Sequence, residues 1–491
     1  MPPSNSRHAI WTIVGLLAVV TIFLFFLENP VSLDDGLSHF AFARMMRTEG
    51  IFPAQGWDAF VSEGTMSRIS VNPYFLSHVL MIPLTLLPPV IALKILTILF
   101  IALVLFAMWL VLRSLKLDPK IQAWFLLLFF LGNHIFLGRT LLARPFTLVT
   151  ALYLLLLFAI IDRRRILAGV ILAVTVLASH LFVFSLAASV VGVGWLIAQK
   201  RTSDALRLGS AIVCGIGLGL ILHPQTSAYV LYLSDVFLRL PFQHPGSISE
   251  LRFSLQWSAA SILSWASVAI GVGVSGFAVS SLSKAQRTKH PEIFYVALLT
   301  LGLIPCAIFW IRAMDFLWPT IAVLVAASIA AFLRNGKKID IPFHAFLFDL
   351  LGIVCILQTA LVGSTIVTRN ANHDLEAYSA MERIPPDNVV LNLQWDRLPV
   401  FVLLRPDLRY VLGMDPRFLA FEHPELFAHL EEAANKSADA KWNAATWLAE
   451  AKGMTHADVL VIDKREKMLI DRIARIRRPL IRTGALAVFS L

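Results

Sequence analysis

Charge is what this chain is short of. Asp, Glu, Lys and Arg make up 15% of its 491 residues, against about 25% in a soluble globular domain. That is too little for a wholly soluble protein of this length. Cysteine is scarce too. Cys214, Cys306 and Cys355 each lie inside an apolar run, so they supply neither a disulfide framework nor a metal-ligand spacing. No pair of histidines has zinc spacing with a third ligand. Lys and Arg outnumber the acids, giving a net charge of +10, yet they form no stripe interleaved with aromatics. They fall in short clusters between apolar segments, which argues against nucleic acid as a partner. No internal repeat or low-complexity run is present.

Apolar residues are what is abundant, at 57%. Uninterrupted apolar runs of about eighteen residues or more are candidate membrane helices. Charges and Gly/Pro breaks divide the chain into eleven apolar segments, at 9–27, 89–112, 121–138, 141–161, 166–179, 182–198, 208–222, 257–281, 292–311, 316–333 and 344–368. The expectation is a polytopic α-helical membrane protein of about eleven transmembrane helices, its partner the lipid bilayer. The first run is followed by Glu28-Asn29-Pro30 rather than a small-residue cleavage site, so an uncleaved first helix is expected.

Orientation follows from counting. With a cytoplasmic N-terminus, one side receives sixteen basic residues, among them the clusters Arg163-Arg164-Arg165, Lys200-Arg201 and Lys337-Lys338. The opposite loops hold eight: Arg44, Arg47, Arg68, Arg139, Arg144, Arg239, Arg252 and Arg312. The positive-inside rule then predicts an inner-membrane protein with its first loop and C-terminus outside the cytoplasm.

Residues 1–368 are expected to form the membrane domain, with 28–88 as a long first extracytoplasmic loop. Apolar residues at helical spacing from Leu37 to Met46 predict a helix along the bilayer surface. Pro73 to Pro89 predicts another, broken by Pro83, Pro88 and Pro89. A further outside segment, His223 to Gln256, carries an amphipathic stretch from Tyr229 to Leu240. After Val367 the composition changes, and 369–491 holds seventeen of the forty-two basic residues. Strand patterns at Val389–Leu393, Arg409–Leu412, Ala457–Ile462 and Ala485–Leu491 alternate with helical ones at Pro424–Ala434, Ala444–Lys452 and Lys467–Ile476. That alternation predicts a soluble C-terminal α/β domain.

Chemistry is most legible in Leu33-Asp34-Asp35-Gly36-Leu37-Ser38-His39, directly after the first apolar run. In a helix starting there, Asp35 and His39 share a face at i and i+4. A carboxylate beside an apolar site could accept a proton from an acceptor hydroxyl. The competing reading makes one Asp an N-cap and lets the other favour the helix dipole.

An acidic pair just after the first membrane helix, followed by His and Arg, resembles the GT-C superfamily of membrane glycosyltransferases. That group includes protein O-mannosyltransferases, the lipid A aminoarabinose transferase and the oligosaccharyltransferase catalytic subunit. The segment Asn72-Pro73-Tyr74-Phe75-Leu76-Ser77-His78 stands where such proteins carry a Pro-rich stretch before the second span. Weaker likeness lies in Arg144-Pro145, His223-Pro224, Trp395-Asp396 and Gly413-Met414-Asp415-Pro416. The resemblance implies inverting transfer from a polyprenyl-phosphate sugar donor to a glycan, lipid or protein acceptor. It makes Asp35 or Asp34 the catalytic carboxylate, Asp35 narrowly preferred, with His39, Asp58 and Glu63 in support. Basic groups would hold the lipid phosphate, and Arg139, Arg144, Arg239 and Arg312 are the candidates, each set against an ordinary snorkelling anchor. Buried ionisable groups mark cavities, and His78, His180 and His223 are placed there, with Lys94 and Asp315 also inside or beside spans. The chain departs from metal-dependent relatives, whose second outside loop has an Asp-x-Asp pair; Gly132-Asn133-His134-Ile135-Phe136-Leu137-Gly138-Arg139 has no acid. A divalent metal is thus left open but unsupported by the residues, and no metal site or cofactor is assigned. Two rivals stand beside this reading: a transporter or flippase of lipid-linked substrates, and a non-catalytic assembly protein on the same frame.

Overall fold

The structure is a computed structural model and describes residues 7–26, 35–239, 258–335, 352–363, 371–413, 416–437, 439 and 441–491. Each of the eleven apolar segments carries a helix. In chain order the helices of this part are α1 (Arg7–Phe26), α2 (Gly36–Glu49), α3 (Phe75–Met81), α4 (Pro89–Ser114), α5 (Pro119–Leu131), α6 (His134–Thr140), α7 (Pro145–Ile161) and α8 (Arg165–Ala178). They continue as α9 (Phe182–Ala198), α10 (Thr202–Leu222), α11 (Thr226–Ser234), α12 (Ala259–Ser280), α13 (Pro291–Phe309), α14 (Met314–Arg334) and α15 (Gly352–Gly363). Six of them, α1, α4, α10, α12, α13 and α14, are long and apolar enough to cross a bilayer. Their outward residues are apolar as well, including Val213, Ile221 and Leu301, as lipid contact requires. The chain is a multi-pass membrane protein.

The segment 121–138 is not one straight span. α5 and α6 meet at a bend of 84° around Gly132-Asn133. A break inside a bilayer leaves backbone carbonyls without partners, and they must be satisfied by protein. Trp318 Nε1 donates to the Phe129 carbonyl at 2.8 Å, and Gln358 Nε2 donates to that of Gly132 at 3.0 Å. Asn133 caps the new helix by accepting from the Phe136 amide at 3.0 Å. Elsewhere small residues set the packing. A Cβ on Gly215 would come within 2.3 Å of the Gly169 carbonyl oxygen, so α8 and α10 approach closely only because both positions are glycine.

Helix α2 forms where helical spacing places it, but it does not lie open on the bilayer surface. Gly36 through Ala43 and Met46 are all buried. The helix of Leu398–Leu404 covers one side and α3 packs on another. Sequence periodicity registers one apolar face; burial on most sides comes from the C-terminal part folding back over it. The Pro73–Pro89 stretch behaves as its prolines dictate: α3 tightens into a 3₁₀ turn at Ile82–Leu86, and Pro89 opens α4.

The C-terminal strands β1 (Val389–Asn392), β2 (Arg409–Tyr410), β3 (Val459–Asp463), β4 (Ile481–Arg482) and β5 (Leu486–Ser490) make one mixed sheet, ordered β2-β1-β3-β5-β4. β1 runs parallel to both β2 and β3, while β5 is antiparallel to β3 and β4. The short β4 and the helices Leu398–Leu404 and Pro416–Glu422 have no counterpart in the sequence reading. The open edge of β2 is taken by the first loop: Tyr410 N–H donates to the Phe60 carbonyl at 2.8 Å, and Ser62 N–H to that of Tyr410 at 2.9 Å. Pairing with the loop removes an exposed strand edge. Beside it, Arg68 donates from Nε to Glu422 at 2.8 Å and from Nη2 to Asp235 at 2.5 Å. One guanidinium thus ties the first loop to two other parts of the chain.

Candidate active site

Four element ends converge beside the N-terminus of α2. Asp35 stands immediately before that helix, its backbone already helical at φ −42°, and its side chain makes no cap hydrogen bond. Its carbonyl accepts from the His39 amide at 2.9 Å and from Ser38 Oγ at 2.7 Å. The carboxylate turns instead to Arg144, whose Nη2 lies 3.5 Å from Oδ2. The N-cap reading of Asp35 is therefore corrected. Its side chain keeps 21% of its surface exposed, enough for a reactant to reach it. Asp34, the alternative carboxylate, lies outside the described residues.

Arg144 owes its place to Pro145. A residue before proline is held extended, and Arg144 has φ −112° and ψ 146° as α7 begins. Arg139 comes from the last turn of α6 and Arg312 from the 3₁₀ turn Ile311–Ala313 that leads into α14. All three guanidiniums gather around one ring: their Cζ atoms lie 5.6, 5.9 and 4.8 Å from the centroid of Phe146 for Arg139, Arg144 and Arg312. Asp315, in the first turn of α14, accepts from Arg139 Nε at 2.9 Å on both oxygens. Arg139 Nη2 is buried with no hydrogen-bond partner among the described residues. Three cations face two carboxylates, leaving the cluster net positive. Guanidiniums at the end of an apolar bundle, one of them with an unused donor, fit an anionic oxygen group such as a phosphate.

Arg239 is placed apart from this group. It is exposed and bonds Asp235 at 3.1 Å one helical turn earlier, the carboxylate that Arg68 also holds. Asp58 and Glu63 have local work as well. Asp58 accepts from the Gly56 amide at 2.7 Å. Glu63 lies 3.4 Å from His423 of the C-terminal part; burial raises its pKa, opposed by the nearby His423.

The histidines form a second layer against the first. The Tyr74 amide donates to Asn72 Oδ1 at 3.1 Å, which fixes that atom as the oxygen. His78 Nδ1 therefore donates to it at 2.8 Å, its Nε2 becomes an acceptor, and His39 Nδ1 donates there across 2.8 Å. His39 and His78 are each at most 1% exposed. Two buried imidazoles so close cannot both be charged, and the chain from Asn72 locks each tautomer. His223 Nδ1 accepts from the Gln225 amide at 3.2 Å, so Nε2 carries the proton and donates to the Asn72 carbonyl at 3.1 Å. Its ring stacks on Tyr229 at 4.2 Å. His180 contacts Tyr74 at 5.3 Å between ring centroids.

Tyr74 joins the layers. Its ring lies 4.8 Å from His39 and 6.0 Å from Phe146, within electrostatic reach of Asp35, Arg144 and Arg312. Neither Tyr74 nor Phe146 was a site candidate from sequence, and no signal marks them out among 34 Phe and 7 Tyr. Asp315 did carry a signal, as an acid at the edge of an apolar run. Among the described residues, no group of three or more His, Cys, Asp or Glu is placed to hold a metal.

The sequence matches no protein-family model and no curated protein. Solved structures do match in fold. The archaeal oligosaccharyltransferase AglB from Archaeoglobus fulgidus, in complex with an inhibitory peptide and a dolichol-phosphate, superposes with a TM-score of 0.63 over 94% of this chain and 70% of its own, at 12% identity. ArnT from Cupriavidus metallidurans bound to undecaprenyl phosphate matches with a TM-score of 0.56, covering 98% of this chain and 97% of that one, also at 12% identity. The arabinofuranosyltransferase AftD from Mycobacteria matches 97% of this chain but 39% of its own length, with a TM-score of 0.59 and 12% identity. This chain has the fold of the GT-C membrane glycosyltransferases.

Proposed function

We propose that the chain is a glycosyltransferase that moves a sugar from a polyprenyl-phosphate-linked donor to an acceptor hydroxyl outside the cytoplasm. The observation that carries this reading is a partly exposed Asp35 carboxylate at the rim of a largely buried, net-positive three-arginine cluster. A base and an anion-holding group side by side are what such a transfer needs. Asp35 takes the acceptor proton as the acceptor oxygen bonds the anomeric carbon. The bond from that carbon to the phosphate oxygen breaks, and its electron pair leaves on the polyprenyl phosphate. Arg139, Arg144 and Arg312 stabilise the charge that grows there. Attack opposite the leaving phosphate inverts the anomeric centre. The dolichol-phosphate and undecaprenyl phosphate in the matched structures support the donor class.

The topology follows the same reading. The first loop pairs directly with β2 and reaches Glu422 through Arg68, so both lie on one side of the membrane. An even number of crossings must separate them, as eleven spans in total provide. The positive-inside count supports placing that side outside the cytoplasm. A cleft of about 740 Å³ between α2 and the C-terminal part, with Arg44, Glu49, Asp387 and Arg409 in its walls, suits a hydrophilic acceptor.

Loss of a general base lowers turnover by about 10²- to 10⁴-fold. Asp35→Asn is therefore expected to lose transfer by that factor while still binding decaprenyl phosphate. Undiminished transfer by Asp35→Asn would remove the catalytic reading.

A further inference from the structure

The C-terminal part is rich in basic residues, and the transfer as described uses none of those near the chain's end. Between Lys464 and Arg482 eight Lys and Arg stand against two acids, Glu466 and Asp471. The fold gathers them onto one surface. In the helix of Lys467–Ala474, Leu469, Ile470 and Ile473 turn inward. Helical spacing then leaves Lys467, Met468, Asp471 and Arg475 on the outer side. Arg482 of β4 reaches back to Asp471 at 3.0 Å, and Arg477 donates to the Ser490 carbonyl of β5 at 2.6 Å. The helix, the turn after it and the sheet edge are therefore continuous. Lys464, Lys467, Arg475, Arg477 and Arg478 are all exposed there.

A face that only meets water carries both signs and few large aliphatic side chains. This one bears Met468, Ile476 and Leu480 at 57%, 51% and 60% exposure among its cations. Guarding the edge of β4 against other strands accounts for Pro479 and Arg482, but not for Lys467, Met468 or Arg475 on the helix. Arg475, Arg477 and Arg478 lie within four residues, and their mutual repulsion is relieved by an anionic partner.

The position of the face narrows that partner. Successive residues of a strand point to opposite sides of a sheet. Val459 and Val461 of β3 pack with the helix of Leu398–Leu404 in the core that is continuous with α2 and the membrane helices. Leu460 and Ile462 pack in a second core with Leu469, Ile470 and Ile473. The sheet thus stands between the basic helix and α2, and the face is turned away from the chain's own bilayer. Guanidiniums match carboxylates in geometry, and a strip of them along a helix and a sheet edge suits a linear polyanion. The aliphatic side chains between them call for apolar surface at the same spacing. A polymer of sugar acids offers both in every repeat, a carboxylate and the C–H face of a ring.

We infer that the face formed by Lys464–Arg482 docks a linear, carboxylate-bearing glycan outside the cytoplasm. The choice of a glycan over an acidic polypeptide rests on the glycosyl-transfer reading above. The docking itself is separate from Asp35 and its arginines.

The test uses the full chain in nanodiscs of zwitterionic lipid, titrated with polygalacturonate, neutral dextran and polyglutamate at rising salt, and mixed with phosphatidylglycerol vesicles. Polygalacturonate is expected to bind, dextran not, and the affinity to fall as salt rises. Arg475→Ser/Arg478→Ser should bind polygalacturonate about tenfold more weakly, the worth of two exposed ion pairs, with a shallower salt dependence. Arg475→Lys/Arg478→Lys should keep most of the affinity. Ile476→Ser/Leu480→Ser should bind severalfold more weakly with the salt dependence unchanged. Melting curves that match wild type show the variants to be folded. A wild type that does not bind polygalacturonate, or binding indifferent to Arg475→Ser/Arg478→Ser, overturns the docking face. Polyglutamate or the vesicles held as tightly would give the face to an acidic polypeptide or a lipid surface and overturn the glycan. Asp35→Asn should bind polygalacturonate as wild type does. Full transfer by that variant would sink the catalytic reading and leave the docking result standing, which separates the two failures.

Discussion

The pairing of Arg139 with Asp315 makes a prediction in which stability and binding part company. Asp315 is buried, and its two oxygens share Arg139 Nε at 2.9 Å. Removing one member of a buried ion pair strands the other and costs about 3–5 kcal/mol. Arg139→Met keeps most of the apolar stem against Phe146, and Asp315→Leu keeps the volume, so the losses come mainly from charge. Each single variant should therefore unfold more readily by that amount. Arg139→Met/Asp315→Leu together strands nothing and should regain most of it, because an apolar replacement of a buried pair is often near neutral. Unfolding in mixed micelles, followed by tryptophan fluorescence, reads the cycle. Losses that add within about 0.5 kcal/mol would refute the pairing. Binding should behave differently. The double variant leaves Arg144 and Arg312 against Asp35, the same net charge as before, but it lacks Arg139 Nη2, the buried donor without a partner among the described residues. A lost charge-assisted bond of about 1.5–3 kcal/mol predicts decaprenyl phosphate binding at least tenfold weaker in a protein of nearly normal stability. Wild-type affinity in that variant would show that Arg139 holds α6 to α14 and does not hold the lipid phosphate.

Gly64 has φ +83°, and a Cβ there would lie 2.8 Å from the Phe418 carbonyl oxygen. Gly64→Ala should loosen the first loop from the C-terminal part by about 1–3 kcal/mol, seen as faster amide exchange at 60–70 and 409–422 with the membrane helices unchanged. His223 carries a pH signature. Burial, partly offset by its bond to the Asn72 carbonyl, pushes its pKa from 6.5 down to about 4. The unfolded chain takes up this proton first as pH falls, so stability is complete above about 6.5 and lost toward 4, by up to about 3 kcal/mol. Melting temperatures between pH 7 and pH 4 should fall less steeply in His223→Gln than in wild type; parallel curves would show that this imidazole is not the group responsible.

Ionisable residues at the ends of apolar runs were readable from sequence because lipid makes them rare. Arg139, Arg144 and Arg312 stood out for that reason, and Asp315 drew notice on the same ground. What sequence does not hold is who meets whom. Arg139 and Asp315 are 176 residues apart, and His39 and His78 are 39 apart. Pro145 fixes the extended backbone of Arg144, but nothing local says that its side chain meets Asp35 while Arg239 bonds its own helical turn. The acidic pair also shows why local rules compete. An Asp before a helix reads as an N-cap, but the pull of Arg144 on the carboxylate prevails at Asp35. The bend at Gly132-Asn133 went unread because its carbonyls are satisfied by Trp318 and Gln358, from helices far along the chain. β1, β3 and β5 were readable as short, nearly continuous apolar runs, buried on both faces. Short β4 was not, since Ile481-Arg482 belongs to no apolar run.

A common rule places the charged and polar groups of this site. Asp35 precedes α2, Arg139 ends α6, Arg144 opens α7, His180 lies between α8 and α9, and Arg312 precedes α14. None sits in the middle of a membrane helix, where a charge is most costly. A helix end answers two demands that conflict elsewhere. The rigid helix fixes the side chain to within the tolerance that chemistry needs, while the end lies near the boundary where water and a lipid phosphate meet. The positions of the reacting groups are then set by where helices stop, and stopping points are written locally: Pro145 after Arg144, Asn133 as the cap of α6, the turn through Ser179. Asp315 follows the same rule in the first turn of α14, buried and held on both oxygens by Arg139. A buried carboxylate needs a fixed cation, whereas Asp35 keeps 21% of its side-chain surface exposed with Arg144 at 3.5 Å.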